Sequence, residues 1–151
     1  MLENCQSAKE RWGGVSDIID RWLQERQDLL VSYCGIPQSP AENDSPEKVQ
    51  SLCQILVDYV SAGHFEVYDQ LIKEGREFDD QDALKEASQL FIRIDNTTEY
   101  ALDFNDKYLA TDDLTSIDTD LSKLGEVLAS RFEAEDRMIE VLHISHKDLV
   151  S

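Results

Sequence analysis

The sequence predicts an all-α protein: an up-down-up-down antiparallel four-helix bundle with long helices, forming a single helical domain over residues 1–151. Three observations predict it. Only three prolines and six glycines punctuate the 151 residues, while Leu, Glu, Asp, Gln and Ala are abundant, a balance that favours helices over strands and turns. Apolar residues recur at steps of three and four in four long segments, and no segment alternates with period two. The connections between segments are short, which makes consecutive helices antiparallel neighbours. At 41% apolar, the chain is too hydrophobic to be disordered and long enough to close a core.

The first helix spans roughly residues 3–34. Its stripe is Val15, Ile18, Ile19, Trp22, Leu23, Arg26, Leu29, Leu30 and Tyr33, with an earlier extension through Cys5, Ala8 and Trp12. Gly13-Gly14 falls inside it, where glycine weakens or bends a helix. A polar loop with Pro37 and Pro40 stops it. Ser45-Pro46 then reads as an N-cap followed by proline at the first helical position. The second helix, roughly 46–74, carries Val49, Leu52, Cys53, Leu56, Tyr59, Val60, Gly63, His64, Val67, Leu71 and Ile72, with Gly75 as its C-terminal glycine. Asp79 or Asp80 caps the third, roughly 80–108, whose stripe runs from Ala83 and Leu84 to Phe104. The fourth, roughly 113–146, follows a short acidic turn and shows Leu114, Ile117, Leu121, Leu124, Leu128, Arg131, Phe132, Glu135, Ile139 and Leu142.

Charge narrows the function classes. Thirty-two acidic residues face 14 basic ones, a formal net charge of −18. Such a surface repels nucleic-acid phosphates and anionic headgroups and favours a basic partner, though acidity also simply keeps proteins soluble. Cys5, Cys34 and Cys53 are odd in number and widely spaced, with no CxxC pattern. They fit free thiols in a reducing cytoplasm better than a disulfide framework or a zinc site. The N-terminal residues do not read as a signal peptide, and no apolar run is long enough for a membrane span.

Polar residues interrupt the stripes at Arg26, His64, Arg131 and Glu135. A buried charge needs a partner, and Arg131 and Glu135 stand one helical turn apart. Two readings stay open: a satisfied polar layer that fixes register, or a polar groove for a partner. On an adjoining face of the second helix lie Val57, Asp58, Ser61 and Phe65. Asp58 offers a carboxylate to a basic partner and Phe65 an aromatic anchor. The blander alternative is that Phe65 packs on a neighbouring helix and Asp58 is merely solvated.

Other chemistry is poorly supported. A bundle di-metal site needs two Glu-x-x-His motifs, and only Glu140-Val141-Leu142-His143 has the spacing; His143 and His146 also lie near an end expected to fray. Histidine phosphotransfer stands with the metal-binding bundle as an alternative, because His64 sits on a helix. The acids after it, Glu66 and Asp69, oppose a phosphate, and the helical period places His64 inward. No phosphate-binding glycine loop, catalytic triad spacing or basic nucleic-acid face stands out. No enzyme activity and no cofactor are expected.

Three runs carry a family resemblance: Asp20-Arg21-Trp22-Leu23; Leu56-Val57-Asp58-Tyr59-Val60-Ser61-Ala62-Gly63-His64-Phe65 with Tyr68; and Arg131-Phe132-Glu133-Ala134-Glu135-Asp136. With these the chain resembles the regulator-of-sigma-D (Rsd/AlgQ) anti-sigma factors. Glu10-Arg11-Trp12-Gly13-Gly14-Val15, Gln24-Glu25-Arg26 and Glu140-Val141-Leu142-His143 look nearest the AlgQ branch of pseudomonads. The match is weakest in the first loop and from Phe78 to Asp120. The resemblance implies a protein that binds the C-terminal, −35-reading domain of the primary sigma factor; a cytoplasmic location follows from the thiols, and the oligomeric state, with a monomer expected, stays open. It would occlude that domain's promoter and core-polymerase contacts, as in stationary phase; the AlgQ branch is associated with alginate regulation. Carried onto this chain, it points to Asp58 first, flanked by Ser61 and Phe65, with Arg21, Trp22, His64, Arg131 and Glu135 as further matching positions.

Overall fold

A computed structural model describes residues 8–36, 46–111 and 113–149. Cys5, the proline loop and the Ser45 cap lie outside the described residues. Among those described, every regular element is helical: α1 (Ala8–Cys34), α2 (Pro46–Ala62), α3 (Tyr68–Glu77), α4 (Gln81–Tyr108) and α5 (Ile117–Leu142). A π-helical turn, Gly63–Val67, joins α2 to α3 without a break, and a 3-10 segment, Ile144–Leu149, follows α5.

The boundaries have local causes. Asp80 caps α4, its side chain accepting the Ala83 amide at 3.1 Å, as expected of an aspartate before a helical run. Asp79 takes φ 52° in the α3–α4 turn, a left-handed backbone that Asp tolerates better than most residues. Gly75 does not end its helix: α3 runs on to Glu77. A Cβ at Gly75 would meet Leu84 and Leu142, so the glycine serves close packing. The last helix begins at Ile117, not near 113, because the Asp113 side chain accepts the Thr115 amide at 3.1 Å and holds the chain in a turn. Its end also comes earlier than 146. His143 N–H still reaches Ile139 O, but His146 N–H bonds His143 O three residues back, the tighter 3-10 pattern.

Side-chain pairs give the helix directions. Glu86 meets Arg137, Arg93 meets Ser130 and Glu133, and Lys107 meets Asp120, so α4 and α5 run oppositely. Trp12 meets the His143 carbonyl, Arg26 meets Glu135, and Tyr33 meets the Leu121 carbonyl, so α1 and α5 do too. The α2–α3 path runs with α5, with Tyr59 on Glu135 and Glu74 on His143. Between them lies a core that includes Leu52, Leu56, Ile94, Leu124, Leu128 and Met138. Each such side chain removed from water contributes about 1.5–3 kcal/mol.

Candidate partner-binding site

The site is built on a buried polar layer. Glu135 accepts four donors: Tyr59 Oη (2.5 Å) and Arg26 Nη2 (3.3 Å) on Oε1, Tyr68 Oη (2.5 Å) and Arg131 Nε (3.0 Å) on Oε2. Arg131 spends its remaining nitrogens on Tyr68 Oη (2.8 Å), Thr97 Oγ1 (3.0 Å) and Thr98 Oγ1 (2.7 Å). Arg26 adds Tyr59 Oη (3.0 Å) and, at the surface, Asp136 Oδ1 (2.6 Å). Burial pushes the Glu135 carboxyl up, against the pull of Arg131, the two tyrosine hydroxyls and Arg26. An acceptor-only group surrounded by four donors is the ionised carboxylate. Two guanidinium groups then balance the carboxylates of Glu135 and Asp136. Burial first, and the Glu135 charge second, push both tyrosines far above their ordinary range, so they stay protonated donors. Arg131 and Glu135 are therefore a satisfied layer, and Arg26 links it to the surface.

Above this layer the π turn shapes the exposed face. Gly63 is buried beneath Trp22 and Tyr68; a Cβ there would lie 3.1 Å from Trp22 Cζ2 and 2.9 Å from Tyr68 Oη. His64, Phe65 and Glu66 follow as three successive exposed residues, and Phe65 is 76% exposed. The expectation of an inward His64 is thus corrected. The π turn takes one extra residue, so positions after it fall out of phase with the stripe of α2. His64 instead packs edge-on against Phe65, at 4.9 Å between ring centroids. Its exposure removes one objection to phosphotransfer, but the acids around it remain.

Asp58 and Arg21 are exposed and Ser61 is half-buried. Trp22 is buried: it stacks on Tyr59 (5.1 Å, 4°), meets Tyr68 edge-on and donates to the Tyr59 carbonyl at 3.4 Å. It supports the face from below and does not reach its surface. The acids on α1 and α2 share one field. Partial burial raises the Glu25 carboxyl, and the charges of Glu66, Asp58 and Asp28 raise it further, with Arg21 opposing. The exposed Phe65 ring directly precedes one of these acids, Glu66.

Sequence reasoning missed Tyr59 and Tyr68 as partners of Glu135, and it missed two histidine pairs. His143 is buried, with Nδ1 2.8 Å from Glu74 Oε2 and its ring stacked on Trp12 at 4.2 Å. His146 Nε2 lies 2.8 Å from Asp80 Oδ2. These contacts correct the picture of a frayed end. Glu140 is exposed and does not join His143, and no cluster among the described residues has the makings of a metal site. Cys53 lies in the core, where burial pushes its thiol up to about 11 and leaves it unreactive at neutral pH. No helix among the described residues is long and apolar enough to cross a membrane.

The family model described as regulator of RNA polymerase sigma(70) subunit, Rsd/AlgQ, matches residues 1–143. The chain belongs to this family. It is similar to the regulator of sigma D of Yersinia enterocolitica, 35% identical over 149 residues, covering 93% of this chain and 89% of the relative. It is also similar to the regulator of sigma D of Pectobacterium carotovorum, 34% identical over 152 residues, covering 95% and 99%. Members of the Rsd/AlgQ family regulate a sigma factor and are not enzymes.

Proposed function

We propose that this Rsd/AlgQ family member is an anti-sigma factor that binds the C-terminal, −35-reading domain of its host's primary sigma factor through the face around Phe65 and Asp58. The observation that carries the proposal is the exposed Phe65 ring next in sequence to Glu66, whose charge acts on Glu25 of α1 together with that of Asp58 of α2. A DNA-reading surface is basic, and an apolar anchor on an acidic face complements it. Occupying that surface blocks promoter and core-polymerase contacts, which lowers housekeeping transcription. The formal charge of −18 keeps the protein itself off DNA. A sigma partner implies a cytoplasmic site of action. On this reading residues 1–151 act as one monomeric domain, an up-down-up-down bundle rigid enough to present the face.

Calorimetric titration with the purified sigma domain tests the proposal. Saturable one-to-one binding is expected, weakened about tenfold by Asp58→Ala, the equivalent of ~1.4 kcal/mol. The melting temperature should hardly change, since an exposed carboxylate away from caps and buried networks contributes little to stability. Unaltered affinity in Asp58→Ala would remove Asp58 from the interface. Absence of any binding would remove the sigma domain as the partner.

A further inference from the structure

We infer that buried Glu135 is a positioning residue for the proposed binding face, because it holds the α2–α3 path in a register that only the π turn provides; the inference rests on that face being the sigma contact. Tyr59 and Tyr68 are nine residues apart. In an unbroken α-helix, at about 100° per residue, they would point roughly 180° apart. Only one of them could then reach the core. Here both hydroxyls bond the two oxygens of one carboxylate, each at 2.5 Å. The π turn makes this possible by absorbing one residue, which leaves about eight α-helical steps and brings the two rings to within roughly 80° in phase.

The buried positions record the slip. Before the turn the core takes Leu52, Leu56, Tyr59 and Val60; within it, Gly63 and Val67; and beyond it, Tyr68, Leu71 and Gly75. Continued α-helical spacing from Leu56, Tyr59, Val60 and Gly63 would have favoured Gln70 over Leu71. The turn is fixed from both sides. The Tyr68 amide bonds the Gly63 carbonyl five residues back, and Trp22 donates to the Tyr59 carbonyl in the last turn of α2 before it. Gly63, lacking a Cβ, lets Trp22 and Tyr68 close over the turn. The residue absorbed is displayed outside, giving the consecutive exposed run His64, Phe65 and Glu66 beside Asp58. The buried layer thereby sets where the aromatic anchor stands relative to the carboxylates.

Deleting His64 tests this directly. The deletion returns the path to α-helical phase, so both tyrosines still reach Glu135 while the displayed turn is lost. Expected are native helicity by circular dichroism, an intact cooperative melt, and affinity for the sigma domain at least tenfold weaker. His64→Ala, which removes the ring packed on Phe65 but keeps the turn, should lose clearly less affinity than the deletion does. Wild-type affinity in the folded deletion variant, or an equal loss in His64→Ala, overturns the role of the turn. Should the deletion variant fail to fold, Tyr68→Phe decides. It removes one of the two hydroxyls, and faster amide exchange at residues 63–68 with weaker binding is expected; unchanged exchange or affinity overturns the proposal. Wild-type affinity in both Asp58→Ala and Phe65→Ala is a different failure, since it dismisses the face itself.

Discussion

Single side chains in this protein differ most in what surrounds them. Glu135 has four donors and no solvent contact. Glu135→Ala would strand Arg131, which is as buried as its partner, and leave two tyrosine hydroxyls short of an acceptor. Loss of one partner from a buried ion pair costs about 3–5 kcal/mol, so chemical denaturation should show a fall in that range. A change below ~1 kcal/mol would mean that water or a repacked neighbour replaces the carboxylate. Asp80 is more modest. Its carboxylate is held below the ordinary value by the hydrogen bond to His146 and then by the Ala83 amide it caps. A depressed carboxylate stabilises the fold above its unfolded pKa and loses that contribution as pH falls through the folded value. Asp80→Ala should therefore cost about 1 kcal/mol near neutral pH. The gap between variant and wild type should close only below the ordinary aspartate value of 3.8. A gap unchanged at pH ~2 would show that the carboxylate's charge is not what stabilises the cap.

At the level of the helix, α1 carries an avoidable weakness. Among the described residues nothing lies within 4 Å of a Cβ built at Gly13, and no glycine has positive φ. Gly13→Ala should stabilise the protein by about 0.5–1 kcal/mol, raising the melting temperature by a few degrees; a lowered melting temperature would show that α1 needs flexibility there. The same scale decides what was legible in the sequence. Helical stripes, the Asp80 cap and the Arg131–Glu135 pair follow from spacing within one element, and they were readable. His64 was misread because its phase was counted through the π turn, which no residue preference announces. Tyr59 and Tyr68 escaped notice for the same reason: nine residues apart, they look like opposite faces. The Glu74–His143 and Asp80–His146 pairs join residues far apart in sequence, and only tertiary packing brings them together. Phe65 and Asp58 were readable as an off-stripe pair. Burial of Trp22 was legible from its place on the α1 stripe, even though its family motif suggested a contact.

Over the whole molecule, charge governs encounter more than residence. With 32 acidic and 14 basic residues, the field reaches a basic partner well before Phe65 does, and salt shortens that reach from about 30 Å at 0.01 M to about 3 Å at 1 M. The Phe65 contact is short-ranged and indifferent to screening. The two contributions should separate in kinetics. Between ~0.05 and ~0.5 M salt the association rate with the sigma domain should fall by roughly tenfold or more, while the dissociation rate changes little. Phe65→Ala should do the reverse, speeding dissociation at every salt concentration while leaving the salt dependence of association intact. Stopped-flow mixing at several salt concentrations reads both. Should dissociation carry the salt dependence instead, the carboxylates around Asp58 would form close ion pairs in the complex, and the acid cluster, with Phe65 secondary, would be what holds the partner.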